Sequence, residues 1–122
     1  MDEGTLGQFE QILITRLNEI DRDIRSVLST REDRGDAQDP MDEVDATANR
    51  SAWEARMKMH HRNCLSAFEI CATLQRIRNG DFGTCGKCGD SIGLKRLQAY
   101  PTTTVCIECQ KRAEAMRRLE AA

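Results

Sequence analysis

Apolar residues recur in the first quarter of the chain at Phe9, Leu13, Leu17, Ile20, Ile24 and Val27, spaced by four, four, three, four and three residues. That rhythm draws one stripe along one face of a helix and has the period of a coiled-coil seam. It predicts a first helix over roughly Leu6 to Ser29, with Thr5 and Gln8 at the spacing of a capping box. Arg16, Glu19, Asp21, Arg22, Asp23 and Arg25 fill the intervening positions as a mixed-sign solvated face. A second stripe runs through Trp53, Met57, His60, Cys64, Ala67 or Phe68, Cys71, Leu74 and Ile77 or Arg78. It predicts a helix that starts between Pro40 and Thr47, ends at Asn79-Gly80, and is on the order of 50 Å long at 1.5 Å per residue. Neither helix can bury its stripe alone, so the expectation is an antiparallel hairpin.

The stretch between the stripes, residues 31 to 45, has no apolar period and contains Gly35 and Pro40. It concentrates acid at Asp36, Asp39, Asp42, Glu43 and Asp45. Topologically it is the turn at the tip of the hairpin. Asp39 before Pro40 has the chemistry of an N-cap followed by a first-turn proline, and the other acids suit a helix start. At the other end of the chain, Cys106 to Ala122 is rich in helix formers. It predicts a helix beginning at Cys106, with Ala113, Met116 and Leu119 or Ala122 turned to the base of the hairpin. Lys111, Arg112, Arg117 and Arg118 make it the most basic part of the chain.

Two cysteine pairs, Cys85-Gly-Lys-Cys88 and Cys106-Ile-Glu-Cys109, stand seventeen residues apart. Two residues between cysteines let both sulfurs reach one metal from a tight turn, and two such turns complete a tetrahedral shell for one structural Zn²⁺. No ligand position stays open for water, so this zinc organises structure and does not catalyse. Cys64 and Cys71 lie seven residues apart on one helix, roughly 10 Å along its axis, too far to bridge each other. They are expected as small apolar seam residues, His60 as a seam residue, His61 as a surface one and Trp53 as a packing anchor.

The 122 residues are 39% apolar, 4% aromatic and 31% charged, a balance that suits an elongated helical protein better than a large core. The net charge of −2 supplies no global field for nucleic acid. No apolar run reaches the roughly 18 residues of a membrane span, and the acidic start is unlike a signal peptide, so a soluble cytoplasmic protein is expected. Neither a nucleophile–base constellation nor a phosphate-binding glycine loop is present, and no enzymatic activity is expected.

The segment Asp81-Phe-Gly-Thr-Cys-Gly-Lys-Cys-Gly-Asp-Ser-Ile-Gly-Leu-Lys-Arg-Leu-Gln-Ala-Tyr-Pro-Thr, continued by Cys106-Ile-Glu-Cys109, resembles the signature of the DksA/TraR zinc-finger family. The resemblance implies a mostly α fold: a long antiparallel coiled-coil hairpin over 1–79 with its acidic tip at about 31–46. A four-cysteine zinc-finger module and a C-terminal helix follow over 80–122. It also implies a bacterial regulator that binds RNA polymerase through the secondary channel and places the tip near the active site. Counting back from Cys85 puts the family's tip motif on Asp42, Asp45 and Thr47, with Thr47 where the family has alanine. Arg62 falls where the family keeps a basic residue on the second helix, which implies a contact at the channel rim.

The family's site for the alarmone ppGpp is built from cations, and the positions that match them here are Glu69, Tyr100 and Gln110. One anion and two neutral groups speak against a ppGpp response through that site. Because the resemblance begins late in the family's full-length members, a paralogue is expected. Two other readings share parts of the pattern. The cysteine spacing is also that of GATA-type DNA-binding fingers, although the finger loop offers only Lys95 and Arg96 as cations, opposed by Asp90, and sequence-specific DNA binding is not expected. An acidic tip is also used by Gre-like transcript-cleavage factors.

Overall fold

The computed structural model describes residues 2–34 and 43–121, with side chains over 2–29 and 48–121. Four helices follow one another: α1 (Glu3–Arg34), α2 (Glu43–Asn79), α3 (Leu94–Ala99) and α4 (Ile107–Ala121). Among the described residues the only β pairing is an isolated antiparallel bridge between Thr84 and Ser91. The chain forms two compact units, one of residues 14–70 and one in which residues 1–13 join 71–122.

The first unit is the pair of long helices. On α1, Ile20 is buried and Leu17, Ile24 and Val27 are half-buried, in the period read from the sequence. The α2 seam departs from the expected one. Trp53, Met57, His60 and Ala67 turn inward as anticipated, but Asn63 and Ile70 stand where Cys64 and Cys71 were expected. Cys64 and Cys71 are exposed, and Phe68 is 75% exposed while Ile70 retains 2%. The face that turns inward buries Ile70 and leaves Phe68 exposed, so apolar area on α2 alone does not account for it.

In the second unit, Phe9 and Leu13 of α1 are buried. Phe9 packs on Phe82 with ring centroids 5.2 Å apart and planes at 57°, a tilted aromatic pair. Cys85, Ile92, Leu97, Cys106 and Cys109 complete this cluster, with Leu6, Ile77 and Val105 packed against it. α1 starts earlier than the capping-box reading placed it. Asp2 is the cap: its carboxylate accepts the Thr5 N–H at 2.7 Å. The Thr5 hydroxyl and N–H hold the Asp2 carboxyl below its ordinary range.

α2 ends where Asn79-Gly80 predicted. Gly80 has φ of 80°, its N–H reaches the Ile77 carbonyl at 3.3 Å, and the Asp81 N–H reaches the Arg76 carbonyl at 2.9 Å. This pair of bonds is the Schellman motif, whose left-handed residue glycine adopts without a Cβ clash. α3 was not anticipated from the sequence. α4 begins beside Cys106 as expected, but only Cys109, Gln110 and Ala113 turn inward. Met116 (58% exposed) and Leu119 (72%) do not pack on the hairpin base. Beyond Ala113 every residue of the helix to Ala121 is exposed.

The two candidate seams of α2 make opposite predictions for stability. Ile70→Ala is expected to cost about 2–5 kcal/mol and Cys71→Ala within about 0.5 kcal/mol, read as midpoint shifts in urea unfolding. The reverse order would restore the seam through Cys71.

Candidate metal centre

The residues around the first cysteine pair form a short hairpin. The Ile92 N–H binds the Gly83 carbonyl at 2.8 Å and the Cys85 N–H binds the Asp90 carbonyl at 2.8 Å. The turn closes with the Gly89 N–H on the Cys85 carbonyl at 3.0 Å. Gly89 has φ of 78°, a conformation that glycine supplies at little cost. The Gly86 N–H crosses to the Thr104 carbonyl at 2.9 Å and so ties the first knuckle to the segment that leads into the second. Cys106 precedes α4 and Cys109 sits in its first turn, so the second knuckle is a helix start.

This architecture brings Cys85, Cys88, Cys106 and Cys109 together with all four Sγ atoms within 4.8 Å of one another. The Cys85–Cys109 and Cys88–Cys106 sulfur pairs are each 3.7 Å apart. A tetrahedral zinc with bonds of about 2.3 Å has sulfur–sulfur edges of about 3.8 Å, so the cluster has the dimensions of a four-thiolate zinc shell. It does not have those of a disulfide, which needs about 2.05 Å. Backbone N–H groups point at the sulfurs, Lys87 to Cys85 and Cys109 to Cys106, each at 3.4 Å. Such donors stabilise thiolates.

The thiols are unequal before metal arrives. Backbone N–H groups of Cys88 and Cys106 draw Cys85 down to about 5. The Cys106 side chain, and then burial, push Cys109 up to about 12. One thiol of the cluster is thus biased toward its thiolate and another toward its protonated form. The residues fit one structural zinc ion.

Two arginines bind the loops around this centre. Arg76, near the end of α2, donates to the carbonyls of Thr84 at 2.9 Å, Thr103 at 3.3 Å and Asp81 at 3.4 Å. Arg96, on α3, donates to the Val105 carbonyl at 3.1 Å, to the Thr103 hydroxyl at 3.4 Å and to the Gln110 side-chain oxygen. The Gln110 amide in turn donates to Glu114 at 3.0 Å. The sequence marks Arg96 as a cation of the finger loop and carries no sign of the part Arg76 plays. Both are internal ties, legible only once the carbonyls they satisfy are in place.

The remaining candidates are not all within view. Arg62 is exposed on α2 and Glu69 is exposed about two turns further along. Asp42 lies outside the described residues, as do Asp39 and Pro40. Asp45 and Thr47 belong to the first turns of α2, and their side chains are outside the described set. Among the described residues no helix is long and apolar enough to cross a membrane.

Residues 80–115 match the prokaryotic dksA/traR C4-type zinc finger. The chain is 32% identical over 115 residues to the RNA polymerase-binding transcription factor DksA of Escherichia coli K12, covering 93% of this chain and 74% of that protein. Its similarity to DksA of Caulobacter vibrioides is 32% over 120 residues, covering 98% and 82%. The structure is similar to that of transcription factor DksA2 from Pseudomonas aeruginosa, with a TM-score of 0.84, 29% identity, and coverage of 97% and 89%.

Zinc binding displaces thiol protons, so affinity falls as pH falls. Zinc captured by a chromogenic chelator is expected to rise steadily as pH is lowered from 8, and steeply toward about 5, where Cys85 takes up its proton. Arg76→Met removes the donor from three carbonyls and is expected to cost about 1–3 kcal/mol in chemical unfolding of the zinc-loaded protein.

Proposed function

The chain belongs to the DksA/TraR zinc-finger family, and on that premise we propose that it is a bacterial transcription factor that binds RNA polymerase in the cytoplasm. The hairpin enters the polymerase secondary channel, and its acidic tip modulates initiation from beside the active site. Asp42 and Asp45 act there by charge on the catalytic metal or on mobile elements around it, without chelating anything. Thr47 adds a hydroxyl and a branched β-carbon at the third tip position. Arg62, exposed on α2, contacts the channel rim. The functional division follows the sequence: 1–79 carries contact and effect, and 80–122 anchors the helix ends through zinc.

The observation that carries this reading is the coincidence of the family's four-cysteine centre with a two-helix unit. The segment joining those helices and the first turn of α2 together carry five acids, Asp36, Asp39, Asp42, Glu43 and Asp45. A narrow pair of helices suits a channel in a way that a broad globular domain does not. The charge distribution favours a protein partner over DNA. Arg96 spends its donors on Val105, Thr103 and Gln110, which leaves Lys95 as the free cation of the finger loop among the described residues. Phosphate binding rests on several such cations.

The same geometry bears on ppGpp. Glu69 is an anion, Tyr100 is neutral and half-exposed, and the Gln110 side chain is held between Arg96 and Glu114. None of the three positions carries a cation of its own, so no ppGpp response through them is proposed.

The double substitution Asp42→Asn with Asp45→Asn is expected to abolish the effect on promoter output in reconstituted transcription. Capture of core RNA polymerase by the tagged protein should be unchanged within about twofold, since surface neutralisations far from a contact cost little. Parallel loss of capture would contradict the separation of tip and contact. RNA cleavage stimulated in a backtracked complex would transfer the chain to the Gre-like class.

A further inference from the structure

The Asn79-Gly80 pair that ends α2 has a reactivity beyond capping. Of the asparagines Asn18, Asn49, Asn63 and Asn79, only Asn79 precedes a glycine. A glycine nitrogen has no adjacent Cβ to shield it, so it attacks the side-chain amide of a preceding asparagine more readily than any other residue does. Asn79 and Gly80 are both exposed, yet three contacts oppose that attack. Gln75 Nε2 donates to Asn79 Oδ1 at 3.3 Å, which lays the Asn79 carboxamide back over the preceding turn and away from the Gly80 nitrogen. The Gly80 N–H is committed to the Ile77 carbonyl at 3.3 Å, and the Asp81 N–H to the Arg76 carbonyl at 2.9 Å. These bonds keep Asn79 as the last residue of the helix. Helical ψ is about −42°, and a five-membered imide closes only after ψ has rotated well away from that value.

We propose that Asn79 is a deamidation site guarded by the metal-held end of α2, and that its conversion marks chains that have lost zinc. The reaction consumes only water. The Gly80 nitrogen bonds to Asn79 Cγ, the Cγ–N bond of the carboxamide breaks, and ammonia leaves with the proton of the Gly80 N–H. Water then opens the cyclic imide at either carbonyl and gives aspartate or isoaspartate at position 79.

The guard is as firm as the unit beneath it. Ile77 packs against the cluster that contains Cys85, Cys106 and Cys109. Arg76 is tied to the carbonyls of Thr84 and Thr103, on the segments that lead into the two cysteine pairs. Zinc binding stabilises the folded form of such a unit, so its loss raises the population in which the last turn of α2 is open. The products then hinder closure of the cap. Both place a carboxylate at a helix C-terminus, where the dipole disfavours it. Isoaspartate also adds a methylene to the main chain between the Gly80 and Asp81 donors and their acceptors.

The test incubates zinc-loaded protein beside protein stripped by a chelator under reducing conditions, and resolves aspartate and isoaspartate at position 79 by peptide mapping against synthetic standards. Stripped protein is expected to deamidate at Asn79 roughly tenfold faster, a ratio that reads the opening of the helix end. Asn18, Asn49 and Asn63 should lag behind it in both samples. Gln75→Ala, an exposed change, should raise the rate in zinc-loaded protein about two- to threefold, the effect of one surface hydrogen bond. The isolated isoaspartate chain, returned to zinc, is expected to unfold at lower urea than the unmodified chain. Equal rates with and without zinc would overturn the guard, and no deamidation at Asn79 in stripped protein would overturn the site. An unchanged rate in Gln75→Ala would refute the part given to the side-chain bond, and equal urea midpoints would refute a lasting mark.

Discussion

Four sulfur atoms held within 4.8 Å of one another are a constraint that the rest of their unit must meet. As thiolates they repel, and as thiols they leave Cys85 drawn toward ionisation and Cys109 away from it. A divalent cation at the centre resolves both, because it neutralises the thiolates and fixes their geometry. The hydrophobic cluster around them is small. Three of its buried members are the cysteines themselves, and Phe9, Phe82, Ile92 and Leu97 supply most of the hydrocarbon. A core of that size stabilises little by burial alone, which is why small domains use metals. The zinc shell and the apolar cluster are one structure, since the loops that aim the sulfurs also bury Phe82 and Leu97.

Hydrogen-bonded arginines finish what the metal begins. The finger segment from Asp81 to Val105 has little regular structure, so many of its carbonyls need partners from elsewhere. Arg76 and Arg96 supply them, each as a planar fork that reaches several oxygens at once. Residues that look on paper like a basic surface are spent internally. That shifts the functional reading toward charge carried by the acidic tip and away from nucleic acid held by the finger.

In the two-helix unit the question is which face of each helix turns inward. α1 had one option, and its stripe from Leu17 to Val27 is the one that turns inward. α2 had two neighbouring options, one through Cys64, Phe68 and Cys71 and one through Asn63, Ala67 and Ile70. Period alone does not separate faces that differ by one residue, because both repeat every three or four positions. The side turned outward keeps Leu65 and Phe68 in water, an unusual expense for a solvated helix face.

The sequence by itself determined the mostly helical class, both long helices, the glycine that ends the second, the four metal ligands and the family. All but the family rest on local chemistry: a period, a left-handed glycine, or two cysteines separated by two residues; the family rests on the resemblance of the longer segment from Asp81 to Cys109. The short helix α3 escaped notice because six residues are too few to show a period. The Asp2 cap escaped because the helix starts before its apolar stripe. The outward direction of Met116 and Leu119, the seam through Ile70 and the internal ties of Arg76 and Arg96 were decided by tertiary structure alone. Each depends on which surface or carbonyl another part of the chain presents, and no single segment carries that information.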